Sequence, residues 1–429
     1  MHWKDLLSPQ RLRRPEARAS KTRSAFQQDA DLIVFAAAFR RLQDKTQVQP
    51  LTEEGRVRTR LTHSIEVASV GRSLGSAVGP TIAERHGLDL EQTQAIASAV
   101  HAACLAHDIG NPPFGHGGED AIQAFFEEHP DLLTGLTPVE RMDLRRFDGN
   151  AQGFRIVTQL ENYRYDGGLR LTYATHGAFM KYPVASLDVD RSRPGVARKK
   201  PGYFNAEAAY VSELWRGMGL AQHVRHPLVY LTEAADDICY AIVDIEDGFE
   251  AGLVDFRDAV EVLSTVAGAA NEPSLPRAEQ LHKLRALAIG RMVGSIAEVF
   301  LDMEPSLLSG EPSRDLCSQV PQAPMLAAAK QLARERVFAA PIVVERLFGG
   351  QRVLGSLLAV LTPVVPALES VAFNVSALRG REASVVQLLG EGYRPASRYD
   401  ALLGITDFVS ALTDRAAVTL CRRLMPGFT

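Results

Sequence analysis

The chain is poor in cysteine and has no thiol pair. Its four cysteines in 429 residues, Cys104, Cys239, Cys317 and Cys421, are scattered without CxxC spacing. That pattern excludes a disulfide framework and reads as reduced, buried thiols. The N-terminus lacks a basic stretch followed by an apolar core, and no apolar run looks long and charge-free enough to span a bilayer. A cytoplasmic protein with no membrane partner is therefore expected. A net charge of −4 and a pI near 6.3 leave no overall footprint for nucleic acid, although local patches stay open. Strand-rich segments and repeats are also missing. With 46% hydrophobic and 23% charged residues, the chain can bury a sizeable core, as one large helical domain with an appendage or as two domains.

Chemistry-bearing groups concentrate between His101 and Ala121, HAACLAHDIGNPPFGHGGEDA. An apolar helical run ends at the adjacent His107 and Asp108 because Gly110 and Pro112-Pro113 stop it, so both side chains fall at an element terminus, where sites are usually built. His116 and Glu119 follow three residues apart. A hard divalent cation needs carboxylates and imidazoles converging from several elements. His63 lies near the start of a second helical pattern (RTRLTHSIEVASVGRSLG), with Arg60 one helical step before it. In VYLTEAADDICYAIVDIEDG, Asp236, Tyr240 and Asp244 recur every four residues and share a helix face. The same stripe favours Asp236 over Asp237, which is left to a supporting contact or a surface pair.

The order H…HD…D on helices resembles the HD-domain metal phosphohydrolases. AFRRLQDKTQV (38–48), RTRLTHSIEV (58–67), HDIGNPPFGHGGE (107–119), DGNAQGFRI (148–156), LTYAT (171–175), MKYP (180–183) and EAADDICYAIVDIEDG (233–248) together resemble the deoxyguanosine triphosphate triphosphohydrolase family. The likeness is dense over residues 20–250, with a weaker echo at 399–417. It implies an all-α fold: a basic N-terminal arm (1–25), an HD-domain catalytic core (26–250) and an additional helical layer (251–429). It also implies dGTP or another dNTP as substrate, attack at the α-phosphorus, and release of deoxynucleoside and intact triphosphate. Family members form homo-oligomers, often hexamers, some with nucleotide or single-stranded DNA effector sites.

Residue by residue, the resemblance places Gln47 by the nucleoside, Arg60 against the triphosphate, and Asn150 and Gln152 near the site. Without it, Gln47 reads as a surface residue, Arg60 as an ion-pair partner, and the two amides as turn-closing groups. Lys181 and Tyr182 are a cation and a phenol able to hold distal phosphates. The family pattern carries Asn where Arg170 stands and Leu where His176 stands, which puts sugar or base contacts in question. His86 and His101 read as structural. The arm's arginines and the RKK cluster in 188–205 read as solvated charge, with phosphate or polyanion contact as the other reading. Asp414-Arg415 reads as an internal ion pair, against contact with a nucleotide across a subunit interface. Beyond Gly248, helical runs are broken at Pro273, Pro305, Pro312 and Pro363–Pro366.

His63, His107, Asp108 and Asp236 suit Mn or Mg, with Fe, Ni or Co also compatible, better than tetrahedral zinc. His116, oriented by Glu119, is the natural proton donor to a departing 5′ oxygen. Arg60, Lys181 and Tyr240 would offset phosphate charge, and Asp244 would orient Lys181 or Tyr182. Two other readings remain: an HD-type phosphodiesterase or 5′-nucleotidase, and a nucleotide or single-strand sensor with a vestigial metal site.

Overall fold

The computed structural model describes residues 1–13, 22–47, 58–162, 164 and 167–425. Helix dominates, and among the described residues pairing of β type is limited to the isolated bridges Arg11–Thr172, Thr46–Thr59 and Ala185–Tyr203. The all-α expectation holds.

Two capped helices follow the N-terminal segments. Thr59 and Thr62 form a reciprocal capping box that starts Arg60–His86, and Gly87 in the left-handed region ends it. Asp89 and Gln92 do the same for Leu90–Ala106. These helices lie very close because glycines face the contact: a Cβ on Gly71 would sit 2.4 Å from Cys104 Sγ, and one on Gly75 2.6 Å from Ala97 Cα. Leu228–Glu250 crosses both and is buried along most of its length, with Ile238, Ile242 and Ile245 fully enclosed. Each such side chain contributes roughly 1.5–3 kcal/mol on burial.

The hydrophobic interior is divided in two, and not in chain order. Phe256–Ala267, Arg277–Ser309 and Ala323–Ala333 join the interior of the first helices. His116–Glu128 and Pro138–Arg145 instead share a second interior with Pro341–Leu361 and Arg398–Ala411, centred on Phe126, Phe147, Leu354 and Leu402. The His107–Gly115 segment runs between them, where a cleft can open.

Several expectations change. The proline at 305 does not break its helix but lies in the final turns of Arg277–Ser309. By length and composition the stretch Pro341–Ser370 is apolar enough to cross a membrane, contrary to the sequence reading. Half of it is buried in the fold, with Leu354, Leu357, Leu358 and Leu361 fully enclosed. The N-terminal segment is anchored rather than solvated: Trp3 is buried and donates to Glu304 at 2.6 Å, and Arg11 forms a buried ion pair with Asp29 at 2.6 Å. Arg14, Arg18 and Lys21 of the arm lie outside the described residues. All four cysteines are free and buried.

Candidate active site

The capping box fixes Arg60 and His63 in the first turn of their helix, with His63 buried. His107 caps the C-terminus of Leu90–Ala106. Its Nδ1 donates to the Cys104 carbonyl at 2.7 Å, which places the lone pair on Nε2, and that buried Nε2 has no hydrogen-bond partner among the described residues. This is the tautomer and orientation of a metal-ligating imidazole. The ligand atoms of His63, His107 and Asp108 lie within 4.8 Å of one another. Asp236 Oδ1 stands 3.2 Å from His63 Nε2 and 3.5 Å from His107 Nε2. Two imidazoles and the Asp108 carboxylate thus cluster at a helix start and a helix end, with the Asp236 carboxylate against both imidazoles, and the donor set fits a hard or borderline divalent cation.

Electrostatics show the same demand. Burial opposes charge on His107, yet Asp108 and Asp236 pull its pKa up to about 9. Burial would raise Asp236, but the His107 and His63 imidazoles outweigh it and hold the carboxyl well below its ordinary range. Without a cation, a proton on His107 Nε2 would offset the two carboxylates, and metal binding would displace it to free the lone pair. Arg60 Nη1 donates to Asp108 Oδ2 at 2.6 Å and Asn111 Nδ2 to Oδ1 at 2.5 Å, so this carboxylate is fixed from both sides.

A strained turn brings His116 in. Phe114, with φ of 64°, precedes Gly115, whose Cβ position would collide with Arg60 Nη2 at 2.5 Å. Only glycine fits there. His116 begins the helix His116–Glu128, and its ring is largely exposed while Glu119 is buried. The Nδ1–Glu119 Oε2 hydrogen bond, 2.7 Å long, raises the His116 pKa. Glu119 also accepts from Gly149 N at 2.7 Å. His107, Asp108 and Asp236 open with the His116–Glu119 pair on one cavity of about 550 Å³, within the usual size for a small-molecule site. Its polar wall adds Lys181 and Lys200, and its other end is aromatic, with Tyr240 and Phe338 stacked at 5.6 Å and 9°.

A model of the HD domain matches residues 60–148, which carry His63, His107, Asp108, His116 and Glu119. Over 441 aligned positions, spanning 99% of each chain, this sequence is 40% identical to a deoxyguanosinetriphosphate triphosphohydrolase-like protein of Synechocystis. One so named from Pseudomonas aeruginosa is 37% identical, covering 99% of this chain and 98% of its own. The deoxyguanosinetriphosphate triphosphohydrolase of Klebsiella pneumoniae is 32% identical over 93% of each. The chain belongs to the deoxyguanosinetriphosphate triphosphohydrolase-like family. It is an HD-domain phosphohydrolase with a His/Asp cluster suited to a metal.

Within this family member, the cavity brings together Gln47, Arg60, His107, Asp108, His116, Glu119, Asn150, Lys181, Tyr182, Asp236 and Tyr240. His63 stands behind them against Asp236. Asn150 also donates to Asp148 at 2.8 Å, closing its own turn. Two expected substrate contacts are not among the lining residues. Gln152 is fully buried, donates to Asp407 at 2.9 Å and borders a neighbouring cavity. Asp244 is buried, and burial together with Asp236 pushes its pKa up to about 8. Lys181 is held instead by Glu233 at 3.4 Å. Arg170 and His176 do not line the cavity either.

Sequence reasoning missed Lys200, Glu233 and Phe338. Lys200, read as solvated, lies 3.0 Å from Asp148 and 3.7 Å from Glu119. Glu233 sits one turn before Asp236, so helical spacing offered a signal. Phe338 comes from a remote segment with none. His86 pairs with Glu304 at 2.8 Å and His101 with the Ala68 carbonyl at 3.0 Å, both structural. Asp237 pairs with Lys330 at 2.8 Å. Asp414 is not an ion-pair partner of Arg415 but accepts from Phe114 N at 2.9 Å and Thr46 Oγ1 at 2.6 Å.

Proposed function

We propose that this protein is a divalent-metal-dependent deoxynucleoside triphosphate triphosphohydrolase that converts dGTP and water to deoxyguanosine and triphosphate. One observation carries the reading: a single 550 Å³ cavity combines the His/Asp cluster, the His116–Glu119 pair, two lysines and an aromatic end. The names of the relatives support it. His63, His107, Asp108 and Asp236 would hold Mn²⁺ or Mg²⁺, which would supply Lewis-acid polarisation of a phosphoryl oxygen and a lowered pKa for bound water.

The protein's own groups do the rest. A water oxygen bonds to the α-phosphorus as the bond from phosphorus to the 5′ oxygen breaks. His116, its Nδ1 tied to Glu119, hands a proton to that departing oxygen, a contribution of roughly 10²–10⁴-fold for a positioned acid. Lys181, Tyr182 and Lys200 offset the charge left on the triphosphate, and Arg60 steadies both Asp108 and an adjacent phosphate oxygen. The stacked Tyr240–Phe338 pair gives the base an aromatic surface, in place of the phosphate role expected for Tyr240, and Gln47 meets the nucleoside, with Asn150 in the same cavity lining. In line with the family resemblance, we further propose a homo-oligomer, a hexamer in the first instance, responsive to a nucleotide or single-stranded DNA effector.

The test is to incubate the protein with each of the four dNTPs and Mn²⁺ or Mg²⁺ and separate the products by ion exchange. Deoxynucleoside plus intact triphosphate, fastest with dGTP, is expected. Monophosphate plus pyrophosphate would overturn the reading in favour of a different phosphate-ester hydrolase.

A further inference from the structure

Two buried carboxylates, Glu119 and Asp148, share one cation beside His116. Lys200 Nζ stands 3.0 Å from Asp148 Oδ2 and 3.7 Å from Glu119 Oε2, the same Glu119 oxygen that accepts from His116 Nδ1 at 2.7 Å. The other Glu119 oxygen accepts from Gly149 N at 2.7 Å, and Asp148 Oδ1 accepts from Asn150 N and Nδ2, each at 2.8 Å. Lys200 comes from the 188–205 loop. With His116 and Glu119 it lines both the catalytic cavity and an adjoining one of about 780 Å³, so the three stand where the two cavities meet.

Two buried carboxylates this close resist joint ionisation unless a cation lies between them. Burial and Glu119 push the Asp148 pKa up, and Lys200 opposes both. Burial would raise Glu119 too, but the His116 hydrogen bond and the Lys200 ammonium hold it below its ordinary value. At His116 the neighbours act in opposite senses: the Glu119 hydrogen bond raises its pKa, and desolvation, Lys200 and Arg60 work against that rise. Beyond these, Lys181 and the metal ligands lie on the catalytic side, and Asp120, Arg146, Asp190, Arg191 and Lys199 on the outer side. An imidazolium tied to a carboxylate alone parts with its proton reluctantly, and an acid serves best when it titrates near the working pH. We propose that Lys200 is a positioning residue: its ammonium holds Glu119 and Asp148 side by side as anions, and through Glu119 it governs proton donation by His116. This role rests on the acid function proposed for His116, and Lys200 performs it before any substrate arrives.

The His116 ring is open to water, so diethyl pyrocarbonate, which acylates the neutral imidazole, can report its protonation in the full-length, Mg²⁺-loaded protein. Peptide mass spectrometry gives the pH midpoint of labelling. In Lys200→Gln that midpoint should rise by about half a pH unit to one unit, the effect of one nearby charge in a solvated cleft, and the alkaline limb of kcat should rise with it. Lys200→Arg should keep the wild-type midpoint. Because Lys200→Gln leaves two buried carboxylates without their cation, Lys200→Gln/Asp148→Asn guards against a folding defect. Asparagine can still cap the helix Gly149–Arg155, and the midpoint should move in the same direction. An unmoved midpoint in both variants, with the loss confined to KM, would leave Lys200 a phosphate holder only and overturn the proposal. The labelling needs no substrate, so a midpoint that rises in a protein hydrolysing no dNTP counts against the reaction and not against the Lys200 link.

Discussion

The Glu119 carboxylate, 2.7 Å from His116 Nδ1, holds a proton on an imidazole otherwise open to water and raises its pKa. An acid catalyst works only while protonated, so the rate falls as pH rises through that raised value. In Glu119→Gln the neutral amide no longer favours the imidazolium, and the pKa drops back toward about 6.5. The alkaline limb of the kcat profile should therefore move to lower pH, and an unmoved limb would remove His116 from the acid role. His116→Ala should keep its metal by elemental analysis and lose about 10²–10⁴ in kcat, whereas Asp108→Ala should lose metal and turnover together. His176 is a contrasting case: fully buried, with both ring nitrogens unpartnered among the described residues. Burial, with a smaller effect from Arg11, lowers its pKa to about 3. Its neutral form is unopposed above about pH 6.5, and stability is lost as pH falls from there toward 3. His176→Leu should stabilise the fold by about 1–3 kcal/mol in urea unfolding at pH 7, with the gain over the wild type widening at pH 5.

At the scale of elements, the helices that carry the site were legible from apolar periodicity and a local breaker: the Gly110–Pro113 break marks where His107–Asp108 must fall, and the apolar pattern after Arg60 puts His63 near a helix start. The Thr59 and Asp89 caps that fix those starts, though local, went unread. The Asp236 stripe was legible for one turn only. Four residues on, Tyr240 is displaced by about 40° and still faces the cavity; eight residues on, Asp244 has turned about 80° away and is buried behind it. Lys200 and Phe338 were not legible, since each is brought in by long-range packing that leaves no periodic trace. The contact of Arg60–His86 with Leu90–Ala106 depends on glycine size, and Gly75→Ala tests it. Alanine favours the helix by roughly 1 kcal/mol, but its Cβ would meet Ala97 backbone at 2.6 Å. A net loss of about 1–3 kcal/mol in thermal unfolding is expected, and a neutral or stabilising result would contradict the close packing.

Across the whole molecule, the site depends on the far end of the chain. Asp414 binds Phe114 N in the turn before His116 and Thr46 beside Gln47, and Lys45 donates to the carbonyls of Asn111 and Ser410. Residues some 300 positions apart thus set the catalytic turn, which no local pattern announces and which an expected ion pair with Arg415 obscured. Asp414→Ala should preserve metal content and lower kcat by up to about 10²-fold through misplacement; full activity would show that the clamp is dispensable. The interior divides by packing and not by sequence order, with the His116 helix sharing its core with Pro341–Leu361, so composition could announce helices but not their partners. The most direct test of the central claim is hydrolysis of dGTP in ¹⁸O-water with mass analysis of both products. One solvent oxygen in triphosphate and none in deoxyguanosine is the result predicted for attack at the α-phosphorus. Label in deoxyguanosine, or a labelled monophosphate or orthophosphate in place of triphosphate, would contradict it.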